Sequence, residues 1–236
     1  MLARVLTAAI AGLSARTITV EVDLARGLPA FHLVGLPDGA VRESRERVMA
    51  ALANSGFDAP LRRITVNLAP ADEPKSGTGF DLPIGLAILS AAGTLHPPMC
   101  DAPLAALGEL SLDGRVRPVR GTLPAAAAVK AAGAREILVA PASVGEAALV
   151  DGLRAVAVGS LRAAVEHLTG LEPIRPAAVP IRRAGRDHGG ASWSGVRGRF
   201  VALRPARACS KASRIRPALR PEILMSIWSA VTPCRV

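Results

Sequence analysis

The amino-acid sequence predicts a mixed α/β (α+β) sandwich over about the first 170 residues. Residues Thr17–Leu24 alternate strictly between apolar and polar side chains, which is typical of a half-buried strand. Apolar residues between Pro37 and Leu52 recur at helical spacing. Patterns of both kinds then continue as far as Leu168, so we expect a mixed sheet with parallel and antiparallel strand pairs, covered by helices.

The chain opens with strand patterns. Val5–Leu13 can be a first strand or the apolar part of a signal peptide, and the lack of a clear Ala-x-Ala cleavage site favours the strand. Thr17–Leu24 is followed by turn residues at Arg26–Pro29 and by a second strand pattern at Ala30–Val34. We therefore expect these two strands to form an antiparallel hairpin.

A helix is predicted from Pro37 to Leu52, with a left-handed glycine cap at Gly56. The remaining predicted elements follow in chain order: strand Arg63–Leu68, buried helix Asp81–Ala92, a hairpin of Leu104–Leu110 and Arg115–Val119 around Asp113–Gly114, helix Leu123–Ala132, strand Glu136–Ala140, helix Val144–Val150, strand Leu153–Val158 and helix Leu161–Leu168.

Charge and composition divide the chain into a domain, a linker and a basic tail whose charge excess begins within the linker. Residues 1–170 form the predicted domain, and a linker with three prolines between Glu172 and Pro180 is predicted over 171–192. The net charge of +10 comes entirely from residues 181–236, which hold 12 of the 29 Lys and Arg but only 2 of the 19 Asp and Glu. This tail, which we expect to be disordered or irregular, could bind nucleic acid non-specifically through phosphates.

Several classes of protein are disfavoured by composition. Three cysteines without a C-x-x-C spacing indicate neither a disulfide framework nor a zinc site, which fits a cytoplasmic protein. No apolar run reaches the ~20 residues that span a bilayer, so we expect no membrane partner. Aromatic residues make up 3% of the chain, which disfavours stacking platforms for single-stranded nucleic acid. The four histidines lack metal-ligand spacing, and no metal site is predicted: His32, His96, His167 and His188.

The loop Lys75–Gly79 precedes a predicted helix, and free N–H groups at a helix start attract anions. Lys75, Gly77 and Gly79 are therefore candidates for an anion or ligand loop, although a plain structural loop is the favoured interpretation. No Gly-Lys pair occurs in the chain, so the standard nucleotide loop is absent and no cofactor is expected here. Asp81 is expected to cap the helix and to repel a phosphate.

Two groups of charged residues are candidates for a functional role, and each also has an ordinary structural interpretation. The acidic residues around the glycine loop could act as a pair but more often satisfy turns and caps: Asp72, Glu73 and Asp81. The basic residues of the first helix could meet DNA phosphates: Arg42, Arg45 and Arg47. Because Glu43 and Glu46 lie among these arginines, we expect a solvated, self-paired face.

A longer set of motifs resembles a known family. The motifs are Phe31–Pro37 followed by Val41–Ser44 and Arg47, Asn67–Asp72 with Lys75 and Gly77, Phe80–Leu86, and Gly108–Gly114 with Val119. In this order they resemble the N-terminal domain of the ComM/YifB family, magnesium-chelatase-like AAA+ ATPases of bacteria, over about residues 1–170. The resemblance implies a fold similar to the proteolytic domain of Lon proteases, and it implies that the chain stops before the ATPase core.

Lon-type peptidases use a Ser nucleophile and a Lys base. Aligning their motifs with this sequence puts Gly79 at the nucleophile position and Leu123 at the base position, so no catalytic residue is expected. The alternatives are a degenerate Ser/Lys peptidase, with Ser76 or Thr78 as nucleophile and Lys130 as base, and a small-ligand-binding domain.

The resemblance implies a non-catalytic accessory domain of a DNA branch-migration motor in natural transformation. The full-length family is expected to form a homo-hexameric ring on DNA and to use ATP and Mg²⁺ through a motor that this chain lacks. Gly195–Arg199 resembles the start of that motor, and the pattern then dissolves in residues 193–236. We interpret those residues as an aberrant remnant of the AAA+ start, with a reading-frame change as the hypothesis and a genuine basic arm as the alternative.

Overall fold

A long antiparallel hairpin lies in the middle of the main sheet. The computed structural model describes residues 1–95 and 102–178. Strands β1 (Leu2–Ala11) and β2 (Ser14–Ala25) pair along their full lengths. The two strand patterns predicted at the start of the chain are therefore confirmed as strands, and the alternation of β2 buries one of its faces in the core.

The other elements of the described residues follow the predicted order closely. They are β3 (Ala30–Val34), α1 (Gly39–Arg42), α2 (Ser44–Asn54), β4 (Arg63–Ala69), α3 (Asp81–Ala91), β5 (Ala105–Leu107), β6 (Glu109–Leu110), β7 (Val116–Arg117), α4 (Thr122–Ala131), β8 (Glu136–Val139), α5 (Val144–Ala147), β9 (Arg154–Ala157) and α6 (Leu161–Thr169). The main sheet has the order β3-β4-β2-β1-β5-β8-β9, and β6 pairs with β7 separately. The mixed α/β class with parallel and antiparallel pairs is confirmed.

Helices cover both faces of the sheet, because successive side chains of the strands point to opposite sides. On β1, Val5 packs into one hydrophobic cluster with α2, α3 and α6, whereas Ala8 packs into a second cluster with α4 and α5. Helix α3 is buried nearly all round, as its composition predicts. No helix in the described ranges is long and apolar enough to cross a membrane.

The predicted hairpin of Thr17–Leu24 with Ala30–Val34 is wrong. Strand β2 is already paired on both sides, antiparallel with β1 and with β4. Strand β3 instead lies parallel to β4 at the edge of the sheet, with Phe31 opposite Ile64. The hairpin around Asp113–Gly114 is present but reduced to two residues on each side, since β5 joins the main sheet.

The predicted helix from Pro37 forms as two helices that meet at Glu43. Asp38 caps the first, and its Oδ1 accepts the Val41 N–H at 2.8 Å. Gly56, with φ of 77°, supplies the predicted left-handed residue after α2. Local capping chemistry therefore determines where these helices begin and end.

Residues 171–178, which sequence patterns assign to the linker, pack back on the domain. The backbone N–H of Ala177 donates to the carbonyl of Ala155 on β9 at 2.8 Å. The interpretations of residues 193–236 as an aberrant remnant and of 181–236 as a basic tail lie outside the described residues, as do His96 and His188.

Candidate functional site

The loop between β4 and α3 borders an open cleft of about 380 Å³. The opposite wall comes from the segment before α4, and the floor comes from the ends of β1 and β5. The cleft is lined mainly by apolar atoms of Ala8, Ile10, Ser76, Gly77, Thr78, Gly79, Phe80, Leu107, Pro118, Val119 and Arg120. Of the three loop candidates, Gly77 and Gly79 line this cleft and Lys75 does not.

Lys75 is fully buried below the loop, with 0% of its surface exposed. Its Nζ donates to the carbonyl of Pro70, and its backbone N–H donates to Leu36 at 3.1 Å. Burial lowers the pKa of the Lys75 amine, while the charges of Glu73 and Asp72 oppose this effect. Lys75 therefore ties the loop to the segment after β3, and a ligand in the cleft would not meet its ammonium group.

Gly79 lies where the resemblance would put a nucleophile. A Cβ atom at this position would be 3.0 Å from Cδ1 of Leu107 and 3.5 Å from Cγ2 of Val119. A serine at this position would therefore need the Leu107 side chain to shift by a few tenths of an ångström. Leu123, at the position of the base, is 40% exposed in the first turn of α4.

The alternative nucleophiles are separated from their proposed base. Ser76 and Thr78 line the cleft, next to the segment that leads into α4. Lys130 lies eight residues beyond the first residue of α4, about 12 Å along the helix. Its Nζ donates to the carbonyl of Asp151, and it does not line the cleft. The structure does not bring these groups together.

The expectation that Asp81 caps its helix is wrong. Phe80 occupies the N-cap position, without a side-chain cap bond. Asp81 is fully buried, and its carboxylate receives Nε of Arg47 at 2.6 Å and Nη2 at 3.0 Å. The backbone N–H of Leu110 also donates to it at 3.2 Å. This carboxylate therefore joins α2, α3 and β6.

Burial dominates the ionisation of Asp81. It raises the pKa of the Asp81 carboxyl from 3.8 to about 6, although Arg47 and the Leu110 N–H lower it. The pKa of Arg47 is in turn raised, mainly by its hydrogen bonds to Asp81. A perturbed carboxyl can indicate a catalytic acid, but here the group is closed off from the cleft and used for packing.

The prediction of a solvated arginine face holds for Arg45 but is wrong for Arg47. Arg45 is exposed and lies 3.9 Å from Glu46. Arg47 is only 18% exposed, because its guanidinium turns inward to Asp81 and keeps a looser contact of 3.7 Å with Glu43. The inward position of Arg47 could have been predicted from the sequence. Residue 47 lies three positions after one buried residue of α2 and four before another, so it shares their face of the helix.

The remaining candidates are dispersed over the domain. Glu73 pairs with Arg16 and Asp72 is exposed, so neither carboxylate shares a site with buried Asp81. His32 is exposed on β3, whereas His167 contacts Glu136. The described part of the chain contains no cluster of three or more metal-ligating side chains.

The mixed sheet, the loop between β4 and α3, and the buried helix α3 belong to a domain that occurs in a known family of proteins. Residues 20–143 match the family model for subunit ChlI of Mg-chelatase, and the chain belongs to this family. It is 41% identical over 184 residues to the protein YifB of Escherichia coli, covering 77% of this chain and 36% of that protein. It is also 41% identical over 180 residues to competence protein ComM of Haemophilus influenzae, covering 76% of this chain and 35% of ComM.

These similarities confirm the ComM/YifB resemblance of the sequence motifs. The chain spans about a third of the length of these curated relatives. A weaker similarity, 28% identity over 127 residues, extends to Lon protease 2 of Bacillus subtilis and covers 53% of this chain and 22% of that protein. The Lon-like interpretation of the fold agrees with this match.

Proposed function

We propose that this domain is a non-catalytic accessory module of a magnesium-chelatase-like ATPase of the ComM/YifB type. The observation that carries the proposal concerns Gly79, which the resemblance puts at the nucleophile position. A Cβ atom there would lie 3.0 Å from Cδ1 of Leu107. The buried polar groups Lys75 and Asp81 support it, because both bind other parts of the domain. The loop then serves to fix α3 against the sheet.

The activity of the whole protein is a further part of the proposal. By resemblance, ATP and Mg²⁺ would act in a motor domain, and six copies would form a cytoplasmic ring on DNA that drives branch migration. The name of the Haemophilus relative, a competence protein, favours a role in natural transformation. In such a machine this domain would support assembly or contacts without carrying out chemistry.

A peptidase assay tests the accessory role. Fluorescent casein would be incubated with the chain and with three variants, Ser76→Ala, Thr78→Ala and Lys130→Ala. We expect the same background signal from all four proteins, because Lys130 lies far along α4 from the cleft. Turnover by the unaltered chain that disappears in Ser76→Ala or Thr78→Ala would favour the degenerate peptidase instead.

The second candidate, a small-ligand-binding domain, is favoured by the open cleft of about 380 Å³ beside Gly77 and Gly79. Exposed Arg120 is the charged residue of its lining and would meet an anion there. Inorganic phosphate is a simple probe of this idea. Amide shifts of residues 76–79 on phosphate addition, lost in Arg120→Ala and kept in exposed Arg117→Ala, would support this candidate, and unchanged amides would count against it.

A further inference from the structure

The chain turns back on itself after α6. Gly170 adopts a left-handed conformation with φ of 77°, and the chain then runs over the domain. Ala177 is hydrogen-bonded to Ala155 on the outer strand β9. The side chains of Ile174 and Ala177 pack against the two hydrophobic clusters. We call residues 171–178 the exit strap, because they lead from the domain to the rest of the chain.

His167, near the end of α6, joins the exit strap to the sheet. Its Nδ1 accepts the backbone N–H of Ile174 at 2.9 Å, and its Nε2 lies 3.1 Å from Oε1 of Glu136 on β8. A backbone N–H can only donate, so Nδ1 must carry the lone pair. Nε2 then carries the ring N–H, which donates a hydrogen bond to Glu136. The docked strap therefore requires a neutral imidazole ring.

We propose that His167 is a protonation-controlled latch, whose neutral ring docks the exit strap and whose protonated ring releases it. The protonated ring has an N–H at both nitrogens, so Nδ1 would face the Ile174 N–H donor to donor. The hydrogen bond to the strap is then lost. Histidine is the side chain whose charge ordinarily changes between about pH 5 and 8, and this range sets the two pH values of the test below.

The charged groups around the latch come from the sheet and from the turn itself. On the sheet, Glu136 contacts the ring and is paired with Arg154 of β9 at 3.1 Å. The side chains of the turn and strap that carry charge are Glu166, Glu172 and Arg175. Because Glu136 attracts the protonated ring, the ring stays on the sheet, and the change is confined to its Nδ1 side and the strap.

Release of the exit strap would change the reach of whatever follows it. In the detached state, whose population rises when the bond to Ile174 is lost, the eight residues 171–178 leave the domain surface, which allows up to about 28 Å of extended chain. The direction in which the chain leaves the domain would no longer be set by β9. This device is independent of whether the cleft is catalytic, so it stands or fails apart from the accessory role.

Hydrogen exchange of the whole chain tests the latch. Exchange of the amides in residues 172–177 would be measured at pH 7.5 and 5.5 and corrected for the intrinsic pH dependence, with the β1–β2 hairpin as internal reference for the folded domain. We expect the corrected protection of the strap to fall about fivefold at the lower pH, the effect of losing one hydrogen bond. The protection of the hairpin should not change.

Three variants make the test specific. In His167→Gln the side-chain oxygen can accept the Ile174 N–H without titrating, so the strap should stay protected at both pH values. His167→Leu offers no acceptor and should leave the strap poorly protected at both, while exposed His32→Gln should respond as the unaltered chain does. Equal strap protection at both pH values in the unaltered chain, or a pH response that persists in His167→Gln, would overturn the proposal.

Discussion

Asp81 illustrates at the scale of one residue how the fold uses a charged group inside its core. Burial raises its pKa to about 6 in the folded domain, from the ordinary value of 3.8. The folded state therefore binds this proton more tightly than the unfolded state. The corresponding stability is fully present below about pH 3.8 and is lost as the pH rises through about 6.

The pH dependence of unfolding should report this group. We expect the free energy of unfolding of the unaltered chain to fall, relative to Asp81→Asn, by up to about 3 kcal/mol between pH 3.5 and 7. Urea denaturation across this range measures the difference. Exposed Asp72→Asn is the matched control and should run parallel to the unaltered chain. A flat difference between the unaltered chain and Asp81→Asn would show that burial does not govern this carboxyl.

Gly79 is the second informative residue. We expect Gly79→Ala to destabilise the domain by about 1–2 kcal/mol, because the new methyl group would lie 3.0 Å from Leu107 and force it to shift. In a Leu107→Ala background the same substitution should cost less, and a double-mutant cycle by urea denaturation measures this coupling. Equal costs in both backgrounds would mean that Leu107 does not fill the position.

At the scale of elements, the docking of β3 beside β4 depends on a close backbone approach. A Cβ atom on Gly35, at the end of β3, would lie 2.3 Å from the carbonyl oxygen of Leu68, and the residue has φ of 101°. Only glycine fits a position with both constraints. The end of β3 is therefore fixed by contact with the strand that follows it by about 30 residues.

Replacement of Gly35 by alanine should be strongly destabilising, by about 3 kcal/mol or more, since the contacted atom belongs to the backbone. Gly39→Ala is the control in the same segment, because nothing lies within 4 Å of its Cβ position and α1 begins there. That change should be neutral or slightly stabilising. Thermal unfolding of both variants checks the contrast, and similar melting temperatures would contradict it.

Elements with a local signal were predictable from the sequence. The alternation in β2, the Asp38 cap and the glycine after α2 are each determined by residues adjacent in the chain. The parallel position of β3 was not, because hydrophobic alternation is the same for either partner strand. The bond between Arg47 and Asp81, which are 34 residues apart, likewise depends on how α2 meets α3.

The candidate site was predictable in part. The motif resemblance implies Gly79 and Leu123 at the two reactive positions, and this assignment stays a prediction. The burial of Lys75 and its bond to Pro70 were not predictable, because a lysine beside glycines in a loop is ordinarily solvated. Only the tertiary structure separates the glycines that line the cleft from the lysine below them.

At the scale of the whole molecule, charge divides the chain. The excess of +10 resides in residues 181–236, whereas residues 1–180 hold 17 basic and 17 acidic residues. We expect any binding to a short DNA duplex to weaken steeply as salt is raised and to disappear when residues 181–236 are removed. Fluorescence anisotropy at two salt concentrations measures both effects. Binding that survives the deletion would place the contact on the neutral domain.

The central claim, that the domain retains a Lon-like scaffold without its chemistry, can be tested by labelling with a fluorophosphonate, which reacts with activated serine and threonine nucleophiles. Intact-mass measurement of the whole chain should show no adduct after incubation with the probe. An adduct located on Ser76 or Thr78, and abolished by Lys130→Ala, would contradict the account and assign a working nucleophile to the cleft.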